Sequence, residues 1–135
     1  MTATKSTYIS RGNQKYQIAK TQTFNIDNGS GTTVDDVVLY AASDLYLQDA
    51  YCVYTEATDT TGAATASVKM GITAGGNELV ASTNLSAAKA VGAAVALTLA
   101  RHFVPAGSSV FVRHTGRAST EAGQYYVQVR YAYKA

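Results

Sequence analysis

The sequence predicts an all-β chain, an antiparallel β-sandwich or barrel with the jelly roll as the natural candidate, preceded by an extended N-terminal arm. Three observations carry this. Roughly eight short runs alternate apolar and polar residues with a period of two, as half-buried strands do. Clusters of Gly, Asp, Asn and Ser punctuate them. Almost nothing repeats with the period of a helix, and strands in that number and spacing close into a sandwich or barrel.

In order, TFNID (23–27) is the first run, closed by the turn formers Asn28, Gly29, Ser30 and Gly31. VVLYAA (37–42) is the second. LYLQ and DAYCVYTEA (45–57) follow, and the inward phase shifts between Leu47 and Ala50, as a bulge or a break between strands causes. TDTTGAAT (58–65) is a loop by composition. ASVKMGIT (66–73) sets Val68, Met70 and Ile72 against Lys69 and Gly71, and AGGN (74–77) turns it back into ELVAS (78–82), a hairpin. In SAAKAVGAAVALTLARHFV (86–104), Ala, Leu and Lys favour helix, while Val95, Leu97 and Leu99 alternate with Ala96 and Thr98. A turn or short helix at 86–91 and a strand from 94 satisfy both. Pro105, Ala106 and Gly107 break that strand, SVFVRH (109–114) alternates again, and TGRASTEAG (115–123) is expected to be a long hairpin loop into the terminal strand.

That strand, QYYVQVRYAYKA (124–135), places Tyr125, Val127, Val129, Tyr131 and Tyr133 on one face, which wants a core. Tyr126, Gln128, Arg130, Ala132 and Lys134 fall on the other, a ring and long polar side chains with no acid among them.

The chain divides into an arm, residues 1–22, and a single sandwich domain, residues 23–135. The arm holds Lys5, Arg11, Lys15 and Lys20 and no acid, whereas the remainder is mildly acidic. Tyr8, Ile9, Tyr16 and Ile18 are candidate anchors against a neighbouring subunit, with the four cations meeting an acidic surface. Four cations over this length are sparse for nucleic acid, so no nucleic-acid partner is expected. Charged residues make up only 15% of the chain against roughly 25% in ordinary soluble proteins. A surface of hydroxyls suits a protein packed against others.

Several function classes find no residues to stand on. Cys52 is the single cysteine, so neither an internal disulfide nor a Cys-rich zinc site can form, and its apolar surroundings favour a buried structural thiol. His102 and His114 lack metal-binding spacing. Asp35 and Asp36 are adjacent and point opposite ways on an extended chain, and DNGSGTTVDD resembles a calcium loop only loosely. No nucleophile elbow, phosphate loop or zinc-protease helix occurs. Neither catalytic residue, metal nor cofactor is expected. The first 22 residues lack an apolar signal core, and AAVALTLA (93–100) is too short for a membrane helix, so the expected product is soluble, made in the cytoplasm and without a membrane partner. Ten tyrosines with no tryptophan suit a wet protein interface better than a sugar platform.

The succession DLYLQDAYCVYTEATDTTGAATASVKMGI, the stretch VPAGSSVFVRHTG, the closing strand GQYYVQVRYAY and the polar arm together resemble the head decoration, or cement, proteins of tailed bacteriophages, which carry a jelly-roll β-sandwich. The likeness spans about residues 24–133 at the level of pattern. It implies a non-enzymatic virion protein on the capsid surface that binds the major capsid protein, commonly as a homotrimer, and clamps neighbouring capsomers. Lys5, Tyr8, Arg11, Lys15, Tyr16 and Lys20 are the implied shell contacts; Tyr126, Gln128, Arg130 and Lys134 would cover a subunit boundary or the shell. Similar strands occur in phage fibre and receptor-binding domains. A carbohydrate-binding module using exposed tyrosines and the loops 58–65 and 115–123, or a plain fibre subunit, is the alternative.

Overall fold

The computed structural model describes residues 16–27, 29, 31–58, 66–85, 88–116 and 123–134. Among them are ten strands and no helix: β1 (Gln17–Lys20), β2 (Phe24–Asn25), β3 (Thr33–Tyr40), β4 (Leu45–Glu56), β5 (Ser67–Gly71), β6 (Val80–Asn84), β7 (Ala94–Leu97), β8 (Phe103–Val104), β9 (Ser109–Thr115) and β10 (Gln124–Tyr133). They form a β-sandwich of two antiparallel sheets. One has the order β3-β9-β5-β6; the other has the order β1-β10-β4-β7, with β2 also paired to β10 and β8 to β4.

Alternation decides which side of each strand enters the core. β9 buries Val110, Val112 and His114, and β10 buries Tyr125, Val127 and Val129 of the odd-numbered face expected from sequence, whereas Tyr131 is half-buried and Tyr133 exposed where the strand runs out past the bulge at Arg130. The two runs expected over 45–57 are one strand. β4 buries Leu45 and Leu47, then Ala50, Cys52 and Tyr54. The change of phase is a bulge: Arg130 pairs with Asp49 and Tyr131 with Leu47, leaving Gln48 as the extra residue. β3 begins at Thr33, earlier than the apolar run suggests, because it pairs with β9 through Asp35 and Asp36.

The segment 115–123 is not the hairpin loop expected from sequence. β9 pairs with β3 and β5, whereas β10 pairs with β4 and the N-terminal strands, so the chain crosses here from one sheet to the other. Both strands alternate correctly, and alternation alone does not distinguish a neighbour within a sheet from one facing it across the core. Residues 88–92 form a turn rather than a helix: Ala93 N–H bonds the Ala90 carbonyl at 3.1 Å, and Gly92 takes φ +86°.

The end of the arm is a strand. Residues 17–20 pair with β10, from Tyr131↔Gln17 to Gln128↔Lys20. Thr21 carries the edge onward, its N–H donating to the Val127 carbonyl and its Oγ1 accepting the Val127 N–H, both at 2.9 Å. The Gln22 N–H then donates to the Asp36 carboxylate at 2.7 Å, which ties this edge to the opposite sheet.

The core centres on a ring cluster. Phe24 stacks on His114 with centroids 5.4 Å apart and planes 13° apart, and Tyr125 and Tyr54 follow at 5.5 Å and 5.8 Å from Phe24 and Tyr125 respectively. Tyr125 Oη and His114 Nδ1 share a hydrogen bond of 2.7 Å across the two sheets. His114 Nε2 is buried and makes no hydrogen bond of ordinary geometry. Burial disfavours the charged ring and holds the His114 pKa down to about 4, against a weaker opposing interaction with the Asn25 backbone.

Two predictions follow from this core. The unfolded chain takes up a proton at His114 near its ordinary pKa of 6.5, while the folded chain resists until about pH 4. Stability is therefore full above about 6.5 and falls by roughly 3 kcal/mol as the pH drops to about 4. Urea unfolding at pH 7 and at pH 4.5 measures the loss, and His114→Gln should flatten it. Gly123, at φ +139° on the entry to β10, leaves no room for a Cβ, which would lie 2.5 Å from the Thr58 methyl and 3.1 Å from Ile26 Cδ1. Gly123→Ala should cost more than about 2 kcal/mol, whereas Gly107→Ala, also at positive φ but in open space, should cost about 1. Thermal denaturation of the pair separates crowding from backbone strain.

Candidate interaction surface

With one face of β10 committed to the core, its other face lies on the outside of the six-stranded sheet, and cross-strand register places its neighbours. Gln128 sits between Lys20 on β1 and Tyr51 on β4, and Tyr51 is followed by Ala96 on β7. Arg130 sits between Ile18 and Asp49, Tyr126 beside Val53 and Ala94, and Ala132 beside Tyr46 and Phe103. The resulting surface is mainly apolar and aromatic. Ile18 is 56% exposed, Tyr16 47% and Tyr46 43%. Tyr46 and Phe103 are in ring contact at 5.5 Å.

The charges on this face are turned on one another. Arg130 Nε donates to both oxygens of Asp49, at 2.9 and 3.1 Å, and its Nη2 also meets Asp49 Oδ2. The carboxylate holds the guanidinium charged and raises its pKa. The Tyr16 ring covers Arg130, 5.4 Å from the guanidinium carbon, and Lys20 Nζ lies 5.3 Å from the centre of the Tyr126 ring.

Of the residues singled out from sequence, Tyr16, Lys20, Tyr126, Gln128 and Arg130 are thus brought together. Lys134 follows the end of β10, exposed, with its N–H bonded to the Asp44 carbonyl at 2.9 Å. Lys5, Tyr8, Arg11 and Lys15 lie outside the described residues. Ile18, a candidate anchor from sequence, joins them on this face, whereas Tyr46, Tyr51, Val53 and above all Asp49 are not evident from sequence, because the periodicity of the terminal strand does not name its neighbours. The alternation of Ala50, Cys52 and Tyr54 with Tyr51 and Val53 was the available signal.

The outside of the four-stranded sheet repeats the scheme. Arg113 grips Asp35 with two hydrogen bonds, 2.7 and 2.8 Å, and this holds the Asp35 pKa below its ordinary value. Val37 and Tyr40 stand exposed nearby. Asp36 turns the other way, to Gln22, as the sequence predicts for neighbours on a strand.

The groups with latent chemistry are elsewhere. Cys52 is buried, and desolvation pushes its thiol up to about 12, far from a nucleophilic thiolate. His102 is exposed, with Nδ1 2.8 Å from the Leu47 carbonyl. Among the described residues no three His, Cys, Asp or Glu side chains converge on a metal position, and no helix is long and apolar enough to cross a membrane.

No protein-family model matches the chain, and no curated protein matches it. Among solved structures, a chain of the cyanophage Pam1 capsid asymmetric unit is similar, with a TM-score of 0.62 over 99% of this chain and 100% of that chain, at 16% identity. At that identity the shared property is the fold.

Proposed function

We propose that this chain is a non-enzymatic structural protein of a phage virion, a decoration or cement protein that binds the assembled capsid and bridges neighbouring capsomers. The observation that carries the reading is the end-to-end likeness of fold to a chain of a cyanophage capsid asymmetric unit. The pairing of strands supports a jelly roll. β2 with β10, β3 with β9, β4 with β7 and β8, and β5 with β6 are the nested pairs of one long hairpin rolled upon itself.

The partner in this reading is the major capsid protein, and the protein acts as a homotrimer on the capsid surface. Contacts come from the arm, through Lys5, Tyr8, Arg11, Lys15, Tyr16 and Lys20, and from the outer face holding Tyr126, Gln128, Arg130 and Lys134. A face rich in tyrosine, with Arg130 already neutralised by Asp49, can be covered without leaving Arg130 unpaired, while Lys20 calls for an acid on the shell. Its contacts are modest singly, and repetition over a shell supplies avidity. Such a role needs no catalytic group.

Deleting residues 1–15 spares β1 and should leave the sandwich folded by circular dichroism while abolishing co-sedimentation with shells that lack the protein; undiminished binding would remove the arm from the contact. Tyr126→Ala combined with Arg130→Ala should weaken shell binding roughly tenfold with the fold retained. Retention of full affinity would move the contact to another face.

A further inference from the structure

The two long edges of the sandwich differ. On one, Thr21, Gln22 and Asp36 stitch β1 to β10 and to the opposite sheet. On the other, β7 pairs only with β4, and no strand among the described residues covers its free side. The Ala93 carbonyl accepts the Tyr54 N–H and Gly92 donates to the Tyr54 carbonyl, a glycine bulge that sets the phase of β7. By alternation Val95 and Leu97 turn their backbone groups to β4, while Ala94 and Ala96 present theirs to solvent.

Natural sheets guard such an edge with a charge, a proline or an inward-pointing polar group. The β1 edge carries Lys20, β3 carries Asp35 and Asp36, and β6 reads VASTN. β7 reads AVAL, and residues 90–100 contain no charged side chain and no proline. Beside it, between the sheets, opens a cavity of about 120 Å³ whose apolar side is formed by Cys52, Leu85, Val95 and Leu97 and whose polar side includes Asn84 and Lys89. That volume accepts one aliphatic side chain.

Charge says what kind of segment fits. Residues 79–120 contain no Asp or Glu, and β7 is bracketed by Lys89 before it and Arg101 after it. Lys89 is fixed by its backbone, whose N–H donates to Thr58 Oγ1 at 2.6 Å and whose carbonyl accepts the Thr58 N–H at 2.9 Å. Arg101 is held by its Nε donating to the Phe103 carbonyl at 3.1 Å. A second copy is a poor occupant: two β7 strands paired antiparallel about Val95 bring Lys89 of each against Arg101 of the other, cation against cation.

We propose that the free edge of β7 is a strand acceptor for a partner protein: it adds an extended segment with an uncharged, β-branched centre bracketed by carboxylates, seating one aliphatic side chain at the cavity between Leu85 and Leu97 and its carboxylates by Lys89 and Arg101. Backbone pairing supplies the attachment, and the pocket and the two cations supply the choice of partner. This goes beyond the virion role and does not depend on it.

The test is a titration of the isotopically labelled full chain, followed by amide NMR, with the capped peptide Asp-Thr-Val-Thr-Val-Thr-Asp and its counterpart with lysine at both ends. The acidic peptide should shift the Ala94 and Ala96 amides, slow their hydrogen exchange, and bind roughly tenfold more tightly than the lysine peptide. Ala96→Pro, which removes an outward N–H and keeps the bonds to β4, should abolish the effect; Lys89→Glu should erase the preference between peptides. Three results would overturn the proposal: no change at these amides at millimolar peptide, equal binding of both peptides, or Ala94 and Ala96 already protected in a self-associated protein without peptide. If shells bind wild-type protein and Ala96→Pro equally while the peptide result holds, the acceptor serves a partner other than the shell.

Discussion

The contact between His114 and Tyr125 is the constraint on which the rest of the structure turns. It joins β9 of one sheet to β10 of the other through a hydrogen bond in an interior built mainly of apolar side chains, and Phe24 lies flat against the imidazole. A neutral imidazole is tolerated there because one nitrogen is bonded and one ring face is packed; a charged one is not. The same contact fixes the register across the core. With Tyr125 inward, every even-numbered residue from Tyr126 to Arg130 points outward, so the composition of the outer face is a consequence of how the core is closed.

On the proposed role, both outer faces solve one physical problem in the same way. A sheet face that is to be covered by another protein should be apolar, yet an apolar face on a free protein invites indiscriminate association. Here each face carries a cross-strand Arg–Asp pair, Arg130 with Asp49 and Arg113 with Asp35, set among tyrosine, valine and phenylalanine. An internally paired charge keeps the surface wet when it is free and asks little of a partner when it is covered. The β7 edge differs because its cations, Lys89 and Arg101, are paired with no acid within their own stretch of chain.

Much of this was legible in the sequence, and what was not has a common cause. The all-β class, the hairpin of β5 and β6, the inward face of β10 and the slip near Gln48 are all properties of one strand or of two consecutive ones, which alternation and turn residues report directly. The pairing of β10 with β1 and β4, the crossing of residues 115–123 between sheets and the meeting of Arg130 with Asp49 involve residues far apart in the chain. Alternation is silent on them, since an inward face is equally satisfied by any opposing sheet. The end of the arm shows the same limit: Ile18 stands out in sequence as an anchor for a neighbouring subunit and not as part of a strand, yet β10 offers a vacant edge and Thr21 completes the ladder.

The virion role stands or falls on whether the intact protein recognises an assembled shell. Sedimentation of the full chain with empty shells that lack it measures this directly, with the oligomeric mass of the free protein determined alongside. A free trimer that saturates the shells at a fixed stoichiometry is the predicted result. A protein that leaves the shells bare at saturating concentration would contradict it.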